Sequence, residues 1–263
     1  MAIEKGGKRR GRVANLSYRV NRGKQIVQSR PGKGKIKLSV ASTKTAGVFG
    51  RSSSLAGTIR KSLGTLIGTY YDTDMVSNFT KTVHNAVKQC YDPSTEAYNF
   101  ATDSFKNVVG FNFNAHSRLE DSLWLSPEST LANNSLLITL PEQEIGKQLK
   151  FPKTSNYCEI VIMCRIYNLR NGLLEKKPVK HKFTADQTQP LLQMQKMEFH
   201  VPEVCLCFVG ILLEYYLMTE KVAVKINSKT FNPAALCTIY VNPGTPKEGS
   251  SIEWQKNAKA VFG

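Results

Sequence analysis

Sixteen cationic side chains fall within the first 62 residues, against a single acid, Glu4. That quarter of the chain carries a net +15. The other 201 residues hold 20 cations and 19 acids, a net +1. Charge pooled in this way opposes compaction and attracts polyanions. The sequence therefore predicts a basic arm in front of a nearly neutral body. The body has the means to fold, since 41% hydrophobic and 21% charged residues are ordinary for a globular chain of 263 residues.

Within the arm, residues 1–40 hold 12 cations. Two β-prone runs, Val13–Val20 and Gln25–Ser29, flank the turn signal Asn21-Arg22-Gly23-Lys24 and predict a β-hairpin. Its apolar side chains, Val13, Leu16, Tyr18, Val20, Ile26 and Val27, are the candidate assembly contacts, because a merely solvating tail has no use for them. The candidate phosphate contacts are Lys8, Arg9, Arg10, Arg12, Arg19, Arg22, Lys24, Arg30, Lys33, Lys35 and Lys37. Cations interleaved with Gly, Ser and Asn suit backbone tracking rather than base reading. Gly32 to Lys37 reads as a flexible basic linker.

Apolar spacing of three and four predicts helix from Ser42 to about Gly68, with Phe49, Leu55, Ile59, Leu63, Leu66 and Ile67 on one face. A second helix follows Asp72 or Thr73, with Val76, Phe79, Val83, Ala86, Val87 and Cys90 as its stripe, and Asp92-Pro93 stops it. A third, capped by Ser94 or Thr95 and ending at Gly110, is expected to bury Ala97, Phe100, Ala101, Phe105 and Val108.

After Gly110 the period changes to two. Seven strands are expected, at Leu136–Leu140, Tyr157–Leu169, Lys180–Ala185, Gln193–Val201, Val204–Met218, Glu220–Ile226 and Leu236–Val241. In the second of these, Cys158, Ile160, Ile162, Cys164 and Ile166 share a face expected to be buried, while Glu159, Arg165 and Tyr167 read as the solvated face. Val204–Met218 is apolar on both faces and reads as a central strand.

The expected class is thus α+β: a basic arm over residues 1–41, a small helical unit over 42–110, an antiparallel immunoglobulin-like β-sandwich over 111–242, and a tail over 243–263 that docks back or onto a neighbour.

The arm residues Gly11-Arg12-Val13-Ala14-Asn15, then Arg22-Gly23-Lys24, then Ser29-Arg30-Pro31, carry a resemblance. With this layout, the chain resembles an uncharacterised family common in Bacteroidota. Those proteins have a Gly-rich basic arm, a helical segment and a C-terminal immunoglobulin-like sandwich. The resemblance implies a bacterial or phage origin and no enzyme activity.

The residues themselves show no catalytic or nucleotide-binding motif. His84, His116, His181 and His200 are scattered, and the six Cys form no C-x-x-C pair. No catalytic residue, metal site or cofactor is expected. No apolar stretch backs the basic residues before Lys37, and no run reaches the ~18 apolar residues of a membrane span. A cytoplasmic or virion-associated location with reduced thiols is expected. The partners expected are nucleic acid, RNA or DNA, and further copies of the chain. The alternative is a filament or lattice subunit whose arm straps its neighbours without nucleic acid.

Overall fold

A computed structural model describes residues 2–21, 23–30, 39–245, 252–257 and 260–263. The phosphate-contact candidates Arg22, Lys33, Lys35 and Lys37 lie outside the described residues, as does the Gly32 to Lys37 linker. The chain divides into two compact units, Met1–Ala46 and Gly47–Gly263.

The first unit holds more than the expected hairpin. It is a four-stranded antiparallel meander of β1 (Ala2–Lys5), β2 (Lys8–Val13), β3 (Leu16–Asn21) and β4 (Lys24–Ser29). The turns are all two residues long, since Lys5 pairs with Lys8, Val13 with Leu16 and Asn21 with Lys24. Such tight loops require left-handed backbone. Gly6 and Gly7 supply it at φ +60° and +68°, and Gly23 at +75°. Ala14 is forced to +46° without that freedom. Two strands alone are marginal in water, and the added pair brings the sheet to a size that can persist.

The helix α1 (Val40–Ser62) leads out of this unit. In the second unit it is followed by the short α2 (Gly64–Ile67) and by α3 (Met75–Gln89). In α3 the spacing of Met75, Phe79, Val83, Ala86 and Val87 puts all five in the core. Fully burying Phe79 contributes about 2 kcal/mol. The expected α1 stripe needs one change: Val48 and Ser52 turn inward, while Phe49 is exposed, its ring set edge-on to His84. Val76 is likewise exposed.

All seven expected strands are present. The central ones are Tyr157–Asn168 and Cys205–Met218, paired over their length from Tyr157↔Tyr216 to Asn168↔Cys205. Ala234–Asn242 and Ala223–Lys225 flank them on one side; Leu173–Glu175 and Val179–Asp186 flank them on the other. Two-residue Phe111–Asn112 and Trp254–Lys256 complete an eight-stranded sheet. A three-stranded sheet of Gln195–His200, Ser135–Leu140 and Glu128–Ala132 faces it, sharing one core with Ile160, Ile162, Val209 and Ile211. The opposite face of the large sheet shares a second core with the helices, through Val161, Met163, Tyr167, Phe208 and Leu212. Gly210 makes that approach possible: a Cβ there would stand 3.3 Å from Leu63 and 3.4 Å from Leu66. The class is α+β, and the two sheets sandwich one core while helices cover the other.

This layering overturns two expectations. Arg165 and Tyr167 are buried rather than solvated: Tyr167 joins the core shared with the helices and the C-terminal Ala260 and Phe262, and Arg165 is met by Glu175. The third helix is absent. Asp92 instead accepts bonds from the Ser94 amide at 2.9 Å and the Thr95 hydroxyl at 2.9 Å, closing a small hairpin between Tyr91–Asp92 and Ala97–Tyr98. Phe100 and Tyr98 then turn toward Phe262, at 5.4 and 5.0 Å, so long-range aromatic packing replaces the helical stripe. Only Lys106–Val108 forms a 3-10 turn. The C-terminal residues dock back on the body, with the Tyr167 hydroxyl donating to the Ala260 carbonyl at 2.7 Å.

Candidate nucleic-acid interface

Side chains alternate between the faces of a strand, and directly paired residues share a face. The register of the arm sheet therefore sorts its residues. Gly11 lies opposite Ala2 and Tyr18, and Tyr18 lies opposite Val27. This face carries Val13, Leu16, Tyr18, Val20 and Val27, with Ala2, Glu4, Arg9, Gln25 and Ser29. Arg10 lies opposite Ile3, Lys5 opposite Lys8, Arg12 opposite Ser17, Arg19 opposite Ile26, and Asn21 opposite Lys24. The second face thus gathers Lys5, Lys8, Arg10, Arg12, Arg19 and Lys24, and it holds no acid.

Six like charges share a small area here. Four strands ~4.8 Å apart and six residues long at ~3.3 Å each span about 400 Å². Lys5 and Lys8 stand directly opposite one another. Like charges in that relation destabilise a sheet by up to about 1 kcal/mol. Stability of the sheet does not call for this arrangement, and an anionic ligand would relieve it. No salt bridge ties down any of these six among the described residues.

Two candidates fall among the residues of the other set. Arg9 sits among the apolar residues, where its Nε lies 3.1 Å from Glu4. The bond to Glu4 and its charge raise the guanidinium's pKa further above its ordinary value. Ile26, an assembly candidate, stands with the cations opposite Arg19. Arg30 follows β4, and its backbone amide closes the sheet onto the Asn15 carbonyl at 2.6 Å. Gln25 stitches β4 across β3: it donates to the Arg9 and Arg19 carbonyls at 2.9 and 3.1 Å and accepts from the Arg9 amide at 2.7 Å.

The sequence reading missed Lys5 as a site residue. Its signal was the Gly6-Gly7 pair between two cationic runs, a two-residue hairpin turn. Reading it would have supplied β1 and β2, and with them the cationic face.

In the body, the ionisable pair most like a reactive centre is Arg165 with Glu175, both 4% exposed. It has a structural explanation. The Tyr157–Asn168 strand pairs with Val179–Asp186 up to Cys164 and with Leu173–Leu174 from Tyr167. The interruption at residues 176–178 leaves the Ile166 amide without a ladder partner on that edge. Glu175 supplies one: its carboxylate accepts the Ile166 amide at 2.8 Å, while its carbonyl accepts the side-chain Nη2 of Arg165 at 2.9 Å. Burial pushes the Glu175 carboxyl up to about 7, against the pull of the Ile166 amide and the Arg165 charge.

Burial also pushes up all six thiols. None is in a disulfide. Among the described residues, no group of His, Cys, Asp and Glu could hold a metal ion, and no helix is long and apolar enough to cross a membrane. Set against known proteins, the chain matches no family model, no curated protein and no solved structure.

Proposed function

We propose that this chain is a non-enzymatic structural protein whose N-terminal arm binds nucleic-acid phosphates without reading sequence, as a coat-like or ribonucleoprotein scaffold subunit. The observation that carries the reading is the acid-free face of Lys5, Lys8, Arg10, Arg12, Arg19 and Lys24. The side chains on that face are long and flexible, and the flat strand scaffold offers no recognition helix or aromatic base platform. Such a surface meets phosphates as point charges, and release of counterions drives the binding. The resemblance of the arm to the Bacteroidota family is part of the same proposal, as is a cytoplasmic or virion-associated place of action.

The test is binding of the full chain to single- and double-stranded oligonucleotides across a salt series, after nuclease treatment has removed co-purifying nucleic acid. Six phosphate contacts give a slope of log K against log salt of about −5 on duplex and about −4 on single strands. Affinity should be nearly the same for unrelated sequences. Replacing the six face cations with Gln should flatten the slope and abolish binding, whereas Arg9→Gln should change it little. Unchanged binding by the six-fold variant would overturn the assignment.

The second reading is an arm that straps neighbouring subunits in a filament or lattice without nucleic acid. It is favoured by the exposure of Val13 and Val27, each 49% accessible. A wild-type chain that polymerises with no nucleic acid present would decide for it.

A further inference from the structure

The face opposite the cations has its own chemistry. Val13, Leu16, Tyr18, Val20 and Val27 form its apolar patch, and its one described ion pair, Arg9 with Glu4, leaves it neutral. We propose that this face packs against the same face of a second copy of the chain, sheet on sheet, about a two-fold axis.

The occupant follows from charge and shape. A polyanion gains little here, since Arg9, the one cation on the face among the described residues, already holds Glu4. Of the two faces of the arm sheet, this is the one through which two copies can approach without repulsion, because the other carries six cations per copy with no described ion pair. A two-fold axis sets like against like, so the apolar patch meets its own image. Sheets packed face to face sit ~10 Å apart with interdigitated side chains, which the Val, Leu and Tyr here can fill. The axis also allows Glu4 of each copy to serve Arg9 of the other. Pairing this way leaves both cationic faces outward, on opposite sides of the pair, where each can hold a separate stretch of polyanion.

The size of the patch sets its strength. About 400 Å² per copy gives about 800 Å² in all, less than the ~1,200 Å² of a stable interface. The pair is therefore weak in dilute solution and fills where chains are concentrated or tethered side by side. The contact concerns a different face from the proposed phosphate surface and stands or falls separately.

Sedimentation equilibrium of the nuclease-treated full chain tests it, with no polyanion present and protein concentrations up to several hundred micromolar. Wild type should self-associate. Val13→Thr/Val27→Thr keeps shape and strand preference, and should weaken association at least tenfold. Ile3→Thr/Ile26→Thr, on the cationic face, should leave it unchanged. Glu4→Arg should weaken it, and Glu4→Arg/Arg9→Glu should restore it. A wild type that stays monomeric at the highest concentration overturns the proposal. So does equal association by the Val13/Val27 variant, or equal weakening by the Ile3/Ile26 control. Failure of the nucleic-acid reading leaves each of these outcomes readable, since none involves a polyanion.

Discussion

Replacing Glu175 with Gln should make the body more stable at pH 8 and leave it nearly unchanged at pH 5. The carboxyl sits at about 7 in the folded chain against an ordinary 4.5, because burial disfavours its charge more than Arg165 and the Ile166 amide favour it. The unfolded chain therefore gives up this proton first as pH rises. Stability contributed by the protonated acid is complete below about 4.5, falls as pH rises toward about 7, and is level beyond. At ~1.4 kcal/mol per pH unit, the gap is worth about 3 kcal/mol. Gln has the shape of the protonated acid, offers Ile166 the same acceptor and does not titrate. The variant should lead by about 2–3 kcal/mol at pH 8 and match wild type within about 1 kcal/mol at pH 5. Urea unfolding at several pH values measures both, and subtracting the two chains cancels every other titrating group. Trp254 is a local probe, because it pairs directly with Glu175 across the strands. The opposite outcome is well defined. If Glu175 is ionised at pH 5 and its charge holds Arg165, the variant leaves a buried cation unpaired. It would then be about 3–5 kcal/mol less stable wherever Glu175 is ionised, pH 5 included.

Three further outcomes are expected. Gly210→Val drives a branched three-carbon side chain toward Leu63 and Leu66 and should cost about 1–3 kcal/mol by urea unfolding; an unchanged midpoint would mean that Leu63 and α2 do not rest on the sheet there. Ala14→Gly releases a left-handed turn residue and should slow amide hydrogen exchange across β2 and β3 by several-fold, an effect of about 1 kcal/mol. Alkylation without reductant, read by intact mass, should modify all six Cys in denaturant; in the native chain Cys158, Cys164, Cys205 and Cys207 should stay protected, and a mass showing any disulfide would contradict the free thiols.

Features that depend on local period and on charge count are legible in the chain alone. Alternation located the seven strands, three- and four-residue spacing located α1 and α3, and counting cations located the arm. What it misjudged were places where a distant partner changes the value of a residue. Arg165 and Tyr167 read as solvent-facing because polar groups are costly to bury alone; neither is alone, since Glu175 meets the first and the Ala260 carbonyl the second. The stretch after Pro93 has a helical stripe, but Phe100 gains more against Phe105 and Phe262 than a short isolated helix would gain for itself. In the arm, residue type tells cations from apolar side chains but not which of them share a surface. Only strand register divides them, because a single added residue in any of the three turns would move a strand's cations to the other face. The turns at Gly6-Gly7 and Ala14-Asn15 and the one that ends at Gly23 hold that register, and so tertiary pairing, not composition, decided which surface is cationic and which is apolar.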